Sequence, residues 1–269
     1  MESTSIELLH SVQLDMLDKF DKFCADNNLT YFLDSGTALG AVRHGGFIPW
    51  DDDVDVGMPR EDYNKLLKLG ESGLPDNLLV QTYKNDQGYW MPFAKIRLKD
   101  TFFPEVKIDV TKMKYQGIYI DVFPFDKVPD NESVAVKAIK KSRFFYFLSV
   151  FSRRDYLGMK WHVLAFSRLL HCLPDWVVLL FHRRYLKYCT SYNSTDSHTW
   201  TCFCWRMSQG DTYLFSESEL FPTCRLSFEG KFLCVVGNIN AYLTKMFGNY
   251  NELPSPEERK CHIAGPFRL

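Results

Sequence analysis

No stretch of this chain approaches the roughly 18 uninterrupted apolar residues expected of a membrane span. Its start, MESTSIELLHSVQLDMLDKF, has neither the basic region nor the continuous apolar region of a secretory leader. The expectation is a soluble or peripheral protein of the cytoplasm, at most held to the inner face of a membrane. The eight cysteines show no repeated CxxC spacing, which disfavours both a disulfide framework and a zinc ribbon. Cys202-Phe203-Cys204 is the one tight pair, and it reads as two strand cysteines facing the same way. Internal repeats and low-complexity segments are missing too, so solenoid and compositionally biased architectures drop out. What remains is core-forming: 46% of the 269 residues are apolar and 16% are aromatic, enough for one large domain or a core with an embedded subdomain.

The sequence also has little net charge, with a formal total of −1, but that total hides an asymmetry. From Ser133 to Thr190 eleven Lys/Arg face only Asp155 and Asp175, a local balance of +9, so the rest of the chain sums to −10. A basic, aromatic-rich middle between acidic flanks suggests cation chemistry in the acidic part and either an anionic partner or an ordinary solvated helix surface in the middle.

Apolar spacing predicts an amphipathic helix over residues 4–26, stopped by Asp26-Asn27-Asn28. A short strand follows over Leu29–Asp34, then a glycine-containing turn into a short helix over Ser35–Val42 and a loop over Arg43–Phe47. Val54–Met58 reads as a strand, and a helix runs from Pro59 through Leu69 with the proline near its first turn. Further strands are expected at Leu78–Tyr83, Ala94–Leu98 and Tyr115–Phe123; the last is apolar and β-branched around a single carboxylate, Asp121. Ser133–Tyr192 reads as helical with a break at Pro174, residues 200–236 as strand-like, and Ile239–Phe247 as a last helix.

The most unusual stretch is FIPWDDDVDVGM, residues 47–58, where four carboxylates occupy the five positions from Asp51 to Asp55. Side chains alternate along a strand, so Asp53 and Asp55 share one face and Val54 and Val56 the other. Two carboxylates side by side repel unless a cation neutralises them, and hard oxygen ligands suit Mg²⁺, with Mn²⁺ as an alternative. Asp121 is the candidate third ligand, since an unpaired charge in IYIDVFPF would be costly. Backbone N–H groups at Gly36-Thr37 and at the start of the following helix are candidates to bind phosphate. Asp51 is read as a loop-fixing residue outside the alternation. The segment lacks the D-x-[DN]-x-[DN]-G series of an EF-hand; a solvent-exposed acidic loop or another calcium-binding turn is the competing reading. Arg43 and His44 read equally well as surface residues.

YFLDSGTALGAVRHGGFIPWDDDVDVGMPREDYNKLL resembles the signature of the LicD family, the phosphocholine transferases grouped with fukutin-like ribitol-phosphate transferases. YIDVFPFDKVP resembles that family's next motif, and FGNYNELPSPEERKCH its terminal segment. The similarity is strong over residues 29–67 and 117–129. It implies an α/β (α+β) fold: a nucleotidyltransferase-like mixed sheet flanked by helices, carrying a helical basic insertion. The implied division is a catalytic core over 1–132, a basic aromatic-rich helical subdomain over 133–192, and strands and a helix over 193–269 that complete the fold. Leu39-Gly40-Ala41 has the family's spacing to the acidic pairs, whereas Gly36-Thr37 lies further upstream, so both glycines remain candidates. After Phe228-Glu229-Gly230, where relatives tend to carry prolines, this chain reads KFLCVVGN and departs on the acceptor side.

The resemblance implies Mg²⁺-dependent transfer of a phospho-alcohol group, phosphocholine from CDP-choline or ribitol phosphate from CDP-ribitol, to a hydroxyl of a cell-surface glycan or lipid-linked precursor. Asp53, Asp55 and Asp121 would be the metal-binding and catalytic carboxylates. Gly36, Thr37, Gly40, Arg43, His44 and Asp51 would bind substrate. Two alternatives remain: a nucleotidyltransferase moving an NMP from an NTP, and a non-catalytic scaffold docked on anionic lipid through Phe144, Phe145, Tyr146 and Phe147. No nucleic-acid partner is expected, and peripheral membrane contact is compatible with the enzyme.

Overall fold

A computed structural model describes residues 2–75, 77–105, 110–151, 161–204, 213–259 and 265–269. A two-residue strand, β1 (Glu2–Ser3), precedes helix α1 (Ile6–Asp26). Ser5 caps that helix by accepting from the Leu8 N–H at 3.2 Å, and Leu9, Met16, Leu17, Phe20 and Cys24 form its buried stripe. Then come β2 (Phe32–Leu33), α2 (Ser35–Arg43), β3 (Asp55–Pro59), α3 (Arg60–Glu71), β4 (Leu78–Gln81), β5 (Ala94–Leu98) and β6 (Tyr119–Val128). Three helices follow, α4 (Glu132–Phe151), α5 (Trp161–His171) and α6 (Asp175–Cys189). The chain continues through β7 (Thr199–Thr201), β8 (Phe215–Ser216), α7 (Glu217–Leu220), β9 (Cys224–Phe228), β10 (Lys231–Val235), α8 (Ile239–Phe247) and β11 (Phe267–Arg268).

The main sheet is mixed, in the order β2-β3-β6-β5-β4, with β7 joining the far half of β6 and β8 pairing β7. Only β3 and β6 run parallel; the other described pairs in this sheet are antiparallel. Helices flank the sheet, as the α/β expectation requires. β9 and β10 form a separate hairpin, and β1 pairs with β11. One large core gathers around the sheet, and a satellite core of Val128, Ala135, Ile139, Tyr185, Cys189 and Phe203 packs α4 against α6.

Three expectations need correction. The strand expected at Tyr115–Phe123 is Tyr119–Val128 and runs straight through Pro124. The Asp121 N–H donates to the Val54 carbonyl on the β3 side, so by alternation position 124 faces the other way. There β5 pairing has ended at Val122 and β7 pairing begins only at Asp126, so the N–H that proline lacks has no strand to meet. The strand-like reading of 200–236 covers the helical turn α7, and residues 205–212 lie outside the described residues. Cys202 and Cys204 lie just past β7 rather than in it, both buried, with the Cys204 Sγ 3.4 Å from the Tyr185 hydroxyl.

Gly57 shows why a glycine stands in the acidic strand. A Cβ there would come within 2.3 Å of the Phe32 ring and 2.7 Å of the Phe125 ring, which pack edge to face across it. On the other side of β6, Asp126 takes a bidentate pair from Arg60 at 2.8 and 2.6 Å and a third bond from Asn193, tying α3 and the end of the helical segment to the sheet.

Candidate active site

Burial alternates along the acidic segment: Asp51, Asp53 and Asp55 are half-buried, while Asp52, Val54 and Val56 are buried. Residues 51–54 precede β3, and Asp51, read as a residue outside the alternation, lies near enough to Asp55 to repel it, as Asp53 does. Two side chains of α1 hold the approach to β3. His10 Nε2 donates to the Asp51 carbonyl at 2.6 Å, its ring stacked on Phe47, and Gln13 Nε2 donates to the Asp52 carbonyl at 2.9 Å.

The register of the sheet does the rest. Asp55 on β3 stands opposite Asp121 on β6, and Asp121 stands opposite Lys95 on β5, so acid, acid and base line one row across three strands. Lys95 Nζ lies 3.0 Å from Asp121 Oδ1 and 3.1 Å from Glu105 Oε2, above the Tyr119 ring. Arg97, fully buried, holds the other Glu105 oxygen at 2.7 Å and bonds Gln81 and the Gly117 carbonyl. Burial opposes ionisation of Glu105, yet Lys95 and Arg97 keep its carboxyl below the usual range.

Across the row the electrostatics reverse. Burial pushes the Asp55 carboxyl well above its ordinary value, and repulsion from Asp53, Asp121, Asp34 and Asp51 adds to it. Burial also raises Asp121, to about 6; Lys95 pulls it down while Glu105 and Asp53 push it up. Five carboxylates thus bear on one spot, and Lys95, the cation paired with Asp121, is shared with Glu105.

This all-oxygen donor set fits a hard divalent cation. Among the described residues no three His, Cys, Asp or Glu side chains converge closely enough to cage an ion by themselves. The expected triad of Asp53, Asp55 and Asp121 is therefore an open cluster rather than a closed cage. Mg²⁺ tolerates this, because it takes one or two carboxylates and keeps waters and substrate phosphates for the rest.

The remaining candidates separate along α2. Gly36 and Thr37 lie in its first turn rather than in a turn ahead of it; Asp34 caps the helix by accepting from the Ser35 N–H at 2.7 Å. Ser35 adopts φ +46°, and Tyr242 of α8 braces the bend with its hydroxyl on the Asp34 carboxylate. The Thr37 hydroxyl accepts the Asp55 N–H at 2.9 Å, so it locks α2 to β3. A Cβ on Gly36 would come within 2.7 Å of Asp51 Oδ2, so glycine there makes room for that carboxylate beside the helix start. Gly40 is a packing glycine: a Cβ would lie 2.4 Å from the Gly46 carbonyl oxygen.

Arg43 sits at the far end of the nine-residue helix, about 12 Å along the axis from Ser35. It donates to the carbonyls of Tyr250 and Glu252 at 3.2 and 3.3 Å. Burial and the nearby Arg259 lower its pKa. His44, lowered by burial and by Arg43, meets the edge of Trp50, over which Arg259 lies at 4.5 Å. Arg43 and His44 are thus grouped with each other and with Arg259, at the opposite end of α2 from the carboxylates.

Sequence reasoning missed Lys95, Glu105, Asp34, Tyr242 and the α1 pair His10 and Gln13. Lys95 and Arg97 had a signal, two charges alternating inside the apolar strand AKIRL. Tyr242 had none, since its partner Asp34 lies 208 positions away.

Over 97% of both chains, this protein is 26% identical to "Lipopolysaccharide cholinephosphotransferase LicD" of Haemophilus influenzae. It is 59% identical over 39 residues, 14% of this chain and 8% of the relative, to human "Ribitol 5-phosphate transferase FKRP". Mouse "Ribitol-5-phosphate transferase FKTN" is 38% identical over 63 residues, 23% of this chain and 14% of the relative. Residues 28–162, which carry α2, β3, β5 and β6 and therefore the whole carboxylate row, match a family model. The chain belongs to that family, described as LicD/FKTN/FKRP, nucleotidyltransferase domain.

Proposed function

We propose that this protein is a divalent-cation-dependent phosphotransferase that moves a phospho-alcohol group, phosphocholine from CDP-choline, to a hydroxyl of a cell-surface glycan or glycolipid precursor. The observation that carries this reading is the row of Asp55, Asp121 and Lys95 across three strands, with Asp53 and Asp51 close enough to repel Asp55. The match along nearly the full length of a lipopolysaccharide cholinephosphotransferase supports the choice of group.

The acceptor hydroxyl oxygen forms a bond to the donor phosphorus, the bond from that phosphorus to the bridging oxygen breaks, and CMP leaves with the negative charge. Asp121 takes the hydroxyl proton, a role worth roughly 10² to 10⁴ in rate for a well-placed base. Lys95 keeps Asp121 in position and offsets part of the charge that accumulates nearby. Asp53 and Asp55 would hold Mg²⁺ or Mn²⁺, which supplies charge neutralisation on the diphosphate. Arg43 and Arg259, at the other end of α2, supply positive charge for a more distant part of the substrate, and His44, kept neutral by burial and by Arg43, lies beside them.

The description of the family as a nucleotidyltransferase domain favours a second reading, NMP transfer from an NTP with release of pyrophosphate. Calorimetry with CDP-choline, CDP-ribitol, CTP and ATP, each with and without Mg²⁺, separates the two. Metal-dependent binding of one CDP-alcohol, lost in Asp53→Ala/Asp55→Ala, is the expected result. Binding of CTP or ATP alone, with pyrophosphate as product, selects the second reading. Full turnover by a folded Asp53→Ala variant would sink both.

A further inference from the structure

The helices α4 to α6 end in an apolar tip beside a basic face, and the geometry points to this tip as a docking surface for an anionic lipid bilayer. Eleven large apolar side chains are exposed among the described residues. Six belong to these three helices: Val134, Phe144, Phe166, Leu169, Trp176 and Leu180. Leu169 and Trp176 are 67% and 65% exposed, on either side of the turn from α5 to α6. A tip without a partner in water would not concentrate such groups.

The spacing joins apolar and basic groups on the same faces. On α6 the exposed positions Trp176, Leu180, Arg184 and Lys187 recur every three or four residues, so one stripe runs from apolar to basic. On α4 the exposed Lys137, Lys140 and Lys141 lead along the same kind of stripe to Phe144, itself 59% exposed. Phe145 stacks on Tyr188 and Tyr146 meets Tyr185, so α4 and α6 run antiparallel. The lysines of α4 therefore lie beside Arg184 and Lys187, and these five side chains line one surface groove with Phe144. The basic groups form a band, and Leu180, Trp176 and Leu169 project beyond it. Among the described residues of α4 to α6, eight Lys/Arg face only Glu132 and Asp175. Apolar side chains that enter the headgroup boundary below a basic band suit a bilayer carrying negative lipids.

No described helix is long and apolar enough to cross a membrane. This surface corrects the earlier reading in detail. Of Phe144, Phe145, Tyr146 and Phe147, only Phe144 is exposed; Phe147 stacks on Phe166 and the other two pack on α6. The inference rests on this surface alone, so it stands or falls separately from the identity of the donor.

The test is flotation of the full chain with vesicles of phosphatidylcholine alone or mixed with phosphatidylglycerol, with heparin as a soluble polyanion control. Two variants replace only exposed side chains and are checked by circular dichroism: Lys137→Glu/Lys140→Glu/Lys141→Glu, and Leu169→Ser/Trp176→Ser/Leu180→Ser. The expected result is partition onto the anionic vesicles, reduced about 100-fold or more by charge reversal. The tip variant should reduce it at least about tenfold. Brominated lipid should also quench the fluorescence of the wild type more than that of Trp176→Phe. Failure to float, equal flotation on neutral vesicles, or flotation that the tip variant leaves unchanged would overturn the proposal. Heparin binding that the tip variant leaves unchanged, without bilayer binding, would mark a soluble polyanion site instead.

Discussion

The carboxylate row and the helical segment α4–α6 each crowd charge of one sign, and they manage it in opposite ways. At the row, Asp51, Asp53, Asp55 and Asp121 are gathered at the edge of the core, and burial, with repulsion among the carboxylates added to it, raises Asp55 and Asp121. On α4 and α6, Lys137, Lys140, Lys141, Arg184 and Lys187 point outward, where water screens them. Like charge that is kept buried at a cost to the fold indicates a ligand to be bound there. Like charge set in solvent costs little, and it becomes informative only beside exposed apolar groups.

The largest expected effect tests the buried half of this contrast. Asp53→Ala or Asp55→Asn should lower turnover about 10³-fold, as expected where several kcal/mol of charge stabilisation is removed. In the absence of metal, Asp55→Asn should at the same time raise the melting temperature, because it relieves the repulsion. A loss of both activity and stability would mean that the cluster is a structural network. Divalent metal should raise the melting temperature of the wild type more than that of the variant.

Lys95→Met removes the cation shared by Asp121 and Glu105; among the described residues Glu105 keeps Arg97, and Asp121 loses the cation it is paired with. The fold should lose about 3 kcal/mol or more in urea titration, as for other broken buried pairs. The same change on the helical segment, Lys140→Met, should be near neutral, since that side chain is exposed. Equal costs at the two sites would erase the distinction drawn above.

Tyr185, Cys189 and His182 of the helical segment face inward, and of these His182 titrates nearest neutral pH. His182 on α6 is buried against Tyr83, and neither ring nitrogen has a hydrogen-bond partner. Burial, helped by Lys84 and Arg60, lowers its pKa from 6.5 to about 4. The fold therefore prefers the neutral ring, so its contribution is intact above pH 6.5 and is lost as the pH falls from there toward 4. The loss between pH 7 and 5 should be about 2 kcal/mol. Asp121 acts with the opposite sign: its raised pKa favours the protonated native state, so its effect on stability worsens as the pH rises through 6. The urea midpoint should fall more between pH 7 and 5 for the wild type than for His182→Phe, which lacks the titrating ring. A pH profile unchanged by His182→Phe would refute this assignment.

The smallest effect concerns Gly36→Ala. A methyl group there displaces the end of the Asp51 side chain, which can turn away, so stability should hardly change. If Asp51 belongs to the working face, turnover should still fall about tenfold, in line with the sensitivity of reacting groups to small misplacements. Unchanged turnover would return Asp51 to the role of fixing the loop.

Much of this was legible along the chain. Alternation in Asp53-Val54-Asp55-Val56 specified a two-faced strand, the apolar setting of Asp121 marked a carboxylate that needed a partner, and Ala94–Leu98 and Ile239–Phe247 read with the bounds that the fold has. Local pattern is enough in such cases because the period of the side chains is a property of the backbone itself. Gly36 and Thr37 read as a turn leading into a short helix because glycine and a small hydroxyl signal a turn; the Asp34 cap and the pairing of Thr37 with Asp55 draw them into the first turn of that helix. Arg43 followed from its type and position in the chain, but helix length separates it from the acids.

By itself the sequence determined the elements, the acidic face and the family motif, because periodicity, capping and carboxylate chemistry act over a few residues. The tertiary structure decided that Asp55, Asp121 and Lys95 share one row, since register between strands about 40 and 70 positions apart depends on how β3, β5 and β6 pack. It also decided that Glu105 and Arg97 secure Lys95, and that Tyr242 braces Asp34. Those contacts join residues whose local sequences carry no mark of each other, and a buried charge is tolerated only where such distant partners meet it.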